Sequence, residues 1–260
     1  MVNVAITSYI DVAQITLYAF WIFFAGLVFY LRREDKREGY PLETERPGRI
    51  IVQGFPALPG PKTFHLRSGK TVTVPSLKPD TREVRAEPVA PWPGAPLEPI
   101  GDPMRDAVGP AAFAEREDEP ELTYEGAPSI VPMRLAAEIS IDPEDPDPRG
   151  LEVFAADGVV AGKVSDVWVD RAEGLIRYLE VAVPAADGAR RVLLPMTMAR
   201  VRATGWRRYV KVRSILAAQF ADVPVTRNSD QVTKREEDRI CAFYAGGTLY
   251  ATPLRREALI

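Results

Sequence analysis

Twenty consecutive uncharged residues, VAQITLYAFWIFFAGLVFYL, run from Val12 to Leu31. A helix of that length is about 30 Å long, the thickness of a bilayer's hydrocarbon core. Gln14 and Thr16 are its only clearly polar members, and both lie near one end. Tyr9 and Tyr18 sit toward one side and Tyr30 at the other, as interfacial aromatics do. Asp11 is placed to cap the helix N-terminus. A cleaved signal peptide fits less well: residues 1–10 carry no Lys or Arg and the apolar run is too long. The basic flank Arg32, Arg33, Lys36 and Arg37 follows the span. The positive-inside rule then places the N-terminus outside and everything after residue 32 in the cytoplasm.

Beyond the span the pattern changes twice. Residues 32–60 mix charges with turn signals and read as a helix leaving the membrane for a turn or two, then an irregular stretch. Lys62 to Pro75 reads as a β-hairpin about Ser68-Gly69-Lys70. Residues 76–149 show no sustained period. Of the chain's 24 prolines, 20 lie between Pro41 and Pro148. Each removes a backbone donor and restricts its predecessor, so neither helix nor central strand runs through. Disorder is one reading of this stretch. An extended strap on a partner surface is the other, and Trp92, Leu97, Ile100, Met104, Val108, Phe113, Leu122, Ile130 and Val131 favour it.

From Gly150 on, LEVFA, VVAGKVSDVWVD, GLIRYLEVAV, ARRVLLP and RRYVKVR are strand-like. Asp157-Gly158, Glu173-Gly174, Asp187-Gly188 and Thr204-Gly205 separate them. Five such strands make a small antiparallel barrel or curled sheet. EEDRICAFYAGG predicts a short helix begun by Asp230 or Thr233 and stopped at Gly246-Gly247. The division expected is therefore 1–11 outside the membrane, 12–31 spanning it, a 32–149 linker with hairpin and proline-rich segment, and a 150–260 β domain.

Composition narrows the chemistry. The net charge of -3 argues against a general nucleic-acid binder, and residues 150–260 are read as lacking a basic block of the size RNA binding needs. One cysteine, Cys241, excludes an internal disulfide and a multi-cysteine zinc site. The one histidine, His65, falls in the predicted hairpin, so no base stands beside a nucleophile and a hydrolase is not credible. Cys241 reads as a small packed hydrophobe beside Ile240 and Phe243. The carboxylates are richer. Asp166, Asp170, Glu173 and Glu180 interleave with Arg171 and Arg177, and strand alternation puts Arg177 on the face of Leu179 and Val181. Such a set can relay protons, or be an ordinary ion-pair network. Glu115 to Glu125 forms a second acidic run with the same two readings.

The motifs, taken in order, resemble the H subunit of the purple-bacterial photosynthetic reaction centre. They are FWIFFAGLVFYL, REGYPLE (Arg37 to Glu43), PKTF, TVTVP, GDPM with DAVGPA (Gly101 to Ala111), PEL, AGKVSDVWVD, RYLEV, LLPM and the EEDRIC and YAGGTLYATP tail. The resemblance implies a mainly β, membrane-anchored protein: one transmembrane helix, an extended proline-rich segment and a PRC-barrel-like domain with a short C-terminal helix. It implies no enzyme activity and no pigment bound by this chain. Bacteriochlorophyll, bacteriopheophytin, quinone and non-haem iron would belong to the complex, and one histidine agrees with that. The implied partners are the L and M subunits, whose cytoplasmic face the chain would cap, with membrane lipid, an antenna complex and a cytochrome as further neighbours. The location implied is the bacterial inner, photosynthetic membrane. Asp170, Glu173 and Arg177 fall on family positions for proton delivery to the secondary quinone. Some members carry a histidine loop after PEL. Here Thr123 to Pro128 has none, which leaves Glu125 or Glu121 as the surface antenna. Tyr30, Arg32 and Arg33 are candidate lipid contacts by position. The runner-up reading is a membrane-tethered PRC-barrel adaptor outside photosynthesis.

Overall fold

The structure is a computed structural model describing residues 11–43, 51–67, 69–76, 82–92, 94–185, 188–204 and 207–256. Tyr9, Ser68, Asp187 and Gly205, used above as an interfacial aromatic and as turn residues, lie outside the described residues. The chain divides into two compact units, Met1–Arg82 and Glu83–Ile260.

In the first unit, helix α1 spans Val12–Asp35. The Asp11 carboxylate accepts from Gln14 N at 2.7 Å, filling the N-cap role expected of it. The helix runs one turn past Leu31, with Arg32 and Arg33 in its last turn, where cations suit the helix dipole. Two short pairs follow. Strand β1 (Leu42–Glu43) pairs with β2 (Ile51–Val52), and β3 (Lys62–His65) with β4 (Thr71–Val74). The second pair is the expected hairpin, and His65 is exposed on it.

The second unit begins inside the proline-rich stretch. Strands β5 (Ala86–Pro88) and β6 (Leu97–Pro99) pair with each other. Then β7 (Ile130–Pro132), β8 (Glu152–Phe154), β9 (Val160–Asp170), β10 (Leu175–Ala185), β11 (Gly188–Pro195), β12 (Ala199–Thr204) and β13 (Arg207–Val212) form one sheet. Its order is β11-β10-β9-β8-β13-β12, with β7 added on β9. No β11–β12 pairing closes it among the described residues. Helix α2 (Lys234–Tyr250) packs Ile240, Phe243 and Tyr244 into the core, where Tyr244 meets Phe220 edge-on.

Several expectations are corrected here. The strap does not wait for a partner along its whole length: Met104, Val108, Ala111, Ile130 and Val131 are buried in this unit itself, whereas Trp92, Ile100 and Leu122 stay exposed. Residues 83–149 therefore fold with the strands after Gly150 rather than as a linker. One strand pair, β13 with β8, is parallel, which the long connection between those segments permits. Thr233 begins α2 through a reciprocal capping box with Glu236. Gly246 and Gly247 do not end it. Both are helical, and a Cβ at Gly247 would stand 2.7 Å from the Ser214 carbonyl oxygen, so these glycines admit close packing. A basic block also exists: residues 188–213 carry seven Arg and one Lys with no acid. On the β12–β13 hairpin Arg200, Arg202 and Arg208 are exposed.

Candidate functional site

Strands β9 and β10 are joined by a tight turn in which Gly174 adopts φ 65°, a conformation a side chain resists. Asp170 organises it. Its carboxylate Oδ1 accepts from Ser129 Oγ at 2.6 Å, Ala172 N at 2.9 Å and Glu173 N at 3.3 Å. Asp170 is 4% exposed and Glu173 is exposed. The turn thus pairs a buried carboxylate with one in solvent.

Ser129 ties this turn to a small loop. Its N–H donates to Glu121 O at 2.7 Å, and Leu122 bridges Pro128. Thr123 N donates to Ala127 O at 2.7 Å. The chain therefore doubles back between Glu121 and Ser129, with Glu125 exposed at the tip.

Arg177 was expected on the Leu179 face. Instead the β9–β10 register slips between Ile176 and Tyr178, leaving Arg177 as the extra residue of a bulge. It reaches α2, with Nη2 3.9 Å from Glu237 Oε2. Tyr178 OH donates to the same oxygen at 2.7 Å and stands 3.9 Å from Cys241 Sγ. Burial pushes the Glu237 carboxyl above its ordinary range, against the Tyr178 hydrogen bond and Arg177, which pull it down; Glu121 pushes it further up. Burial also raises the Tyr178 hydroxyl and the Cys241 thiol. Asp170, Glu173, Arg177, Glu121 and Glu125 thus gather at one end of β9 and β10. Glu237 and Tyr178 join them unforeseen, although Glu237 and Cys241 are four apart on α2 and so share a face.

The sign of a pH effect follows. A carboxyl whose folded pKa is raised adds stability that is present below its unfolded pKa and lost as pH rises through the folded value. Glu237→Gln keeps an oxygen for Tyr178 and removes that loss. Its thermal midpoint is expected to exceed wild type at neutral pH, the gap closing as pH falls into the ordinary carboxylate range. A pH-independent gap would count against a buried, hard-to-ionise Glu237.

The other acids divide differently. Asp166 and Glu180 face each other across β9 and β10 and are bridged by Arg134, not by Arg171 or Arg177. Arg171 instead turns to Leu135 O and Glu138. Within the Glu115–Glu125 run, Glu115 pairs with Arg235, Glu117 with Lys234, and Asp118 with Arg227. The bond from Thr233 Oγ1 holds the Asp118 carboxyl below its usual range, helped by Arg227. This part of the run fastens the strap to α2. Tyr30, Arg32 and Arg33 are all exposed at the end of α1. No group of three or more His, Cys, Asp or Glu suited to a metal ion occurs among the described residues.

Residues 4–135 match the family model for the photosynthetic reaction centre H-chain N-terminal region. The chain belongs to the reaction centre H-chain family. Residues 144–216 of this H chain match the PRC-barrel domain. The family is a structural subunit of a photosynthetic complex, so the adaptor reading outside photosynthesis is set aside. With α1 the one described helix long and apolar enough to cross a bilayer, the H chain is a single-pass membrane protein.

Proposed function

We propose that this H chain caps the cytoplasmic face of the L and M subunits, shields their quinone and iron region from solvent, and passes protons toward the secondary quinone. In this reading α1 crosses the bacterial inner membrane with its N-terminus in the periplasm. Residues 32–149 and 150–260 lie in the cytoplasm. Pigments, quinone and iron are held by partners, and antenna and cytochrome components are further neighbours. Tyr30, Arg32 and Arg33 meet lipid headgroups at the span's end.

The observation that carries the proton role is the gathering of Glu121, Glu125, Asp170, Glu173 and Arg177 at one end of the sheet. Acids there differ in solvent access, from exposed Glu125 and Glu173 to buried Asp170. Exposed carboxylates collect protons, and a buried one fixed by three donors holds its place between them. The capping role would give the exposed side chains of Trp92, Ile100 and Leu122 an apolar surface to meet.

The test is Glu173→Gln in the intact complex. The first electron transfer to the secondary quinone is expected to keep its rate. The second, coupled to proton uptake, is expected to slow by about the 10²-fold lower bound of general acid–base effects, or less where Asp170 carries part of the flow. Flash-induced proton uptake with a pH indicator reads this directly. Unchanged rates for both steps would remove Glu173 from the path.

A further inference from the structure

Lys36 directly follows α1 and is 2% exposed. A lysine at the end of a membrane span ordinarily stretches its ammonium to the headgroups. This one turns inward. Its Nζ donates to Gln53 O at 2.6 Å and Pro56 O at 2.5 Å, and lies 5.1 Å from the centre of the Tyr40 ring. Two carbonyls and an aromatic face satisfy the cation, and in return it clasps residues 53–56 to the helix end. Gly54, at φ 64°, allows the turn between the two carbonyls.

The clasp sets the height of Phe55. Its ring centre is 5.9 Å from that of Phe29, inside the apolar run of α1. Phe29 lies seven residues before Lys36, which is about 10 Å back along the helix. The chain has therefore left the span, turned, and returned an aromatic side chain to the level of the span. There Phe55 is 85% exposed, although shielding such a ring from water is favourable. The next residues of α1, Tyr30, Arg32 and Arg33, have the composition of a headgroup boundary.

We propose that the 53–56 loop is a second membrane contact, in which Phe55 inserts among lipid acyl chains beside Phe29 and Lys36 is the latch that holds it there. This rests on α1 being a membrane span. The occupant is lipid because lipid is the medium surrounding a single span at Phe29's level, and the loop's outermost side chain offers it only hydrocarbon. The loop would fix the depth and rotation of α1, which one helix alone leaves free.

The probe is Phe55→Trp in the intact complex, reconstituted in phosphatidylcholine vesicles with or without bromine near the top of the acyl chains. Bromine quenches indole on contact. F55W is expected to add blue-shifted emission that this bromolipid quenches more strongly than it quenches Trp21, which lies about 12 Å further into the span than Phe29 and is measured as the difference between wild type and Trp21→Phe. Adding Lys36→Met is expected to reduce the F55W quenching at least twofold. Added emission that is red-shifted and quenched by aqueous iodide overturns the proposal. So does blue-shifted emission untouched by bromine, which would place Phe55 against a protein neighbour. Trp21 emission left unquenched by lipid brominated near the acyl-chain ends would instead overturn the span itself.

Discussion

Arg134→Met is expected to lower the unfolding free energy of the second unit, Glu83–Ile260, by about 3 kcal/mol, the lower edge of the range for breaking a buried ion pair. Arg134 Nη1 lies 2.9 Å from Asp166 Oδ2 and 3.4 Å from Glu180 Oε2, and its Nη2 donates to Ser229 O and Asp230 Oδ1. Asp166 and Glu180 are direct cross-strand neighbours, an unfavourable placement for like charges. Removing the guanidinium leaves two nearly buried carboxylates facing each other. The lower edge applies because Arg134 is one-third exposed and Arg191, 3.3 Å from Glu180 Oε1, compensates part of the charge. Urea unfolding of the full chain in detergent, followed by near-ultraviolet circular dichroism, measures the loss. A change below about 0.5 kcal/mol, the scale of an ordinary surface substitution, would assign the pair to Arg191 instead.

Arg134 also shows where sequence reading reaches its limit. Local signals carried well. An unbroken apolar run names α1, Gly69 names the β3–β4 hairpin, and alternating Val and aromatic residues name β8 to β11 and β13. Each depends on neighbours in sequence alone. Strands β7 and β12 were not anticipated. The first is three residues inside the proline-rich strap, where no period can be seen, and the second is interrupted by arginines. Arg134 follows β7, so its part in the sheet depended on a strand that the pattern conceals. The bulge at Arg177 is likewise invisible, because alternation assumes an unbroken register.

The candidate site divides in the same way. Asp170, Glu173 and Arg177 stand close together in sequence around one turn, so two adjacent motifs, WVD-x-x-E and RYLEV, mark all three. Glu237 is 60 residues from Arg177 and comes to it only through the packing of α2. Gly246 and Gly247 carry a related lesson. A glycine pair late in a helical run signals a stop when the helix end meets solvent. Here the pair faces Ala111 and Ser214 across a close contact, so the absent side chains serve packing and the helix continues. Sequence shows that a Cβ is missing, but not which neighbour needs the space.

Trp168→Ala is expected to cost about 3–5 kcal/mol, since it empties one of the largest buried side chains in the sheet. The indole also makes a polar contact. Its Nε1 donates to Glu180 Oε2 at 3.1 Å, the same oxygen that Arg134 approaches. Trp168→Phe separates the two contributions. It keeps much of the volume and deletes the donor, so its cost reports mainly the hydrogen bond to a charged group, about 1.5–3 kcal/mol. Because both donors act on one oxygen, Trp168→Phe and Arg134→Met should not add. With Arg134 gone, water can reach the Glu180 carboxylate and replace part of what Trp168 supplies, and the second loss is then smaller. A double-mutant cycle in urea is expected to show coupling of about 0.5–3 kcal/mol. Strict additivity would mean that Glu180 is held by Ser165 Oγ, at 2.7 Å, and by Arg191, with Trp168 contributing only its bulk.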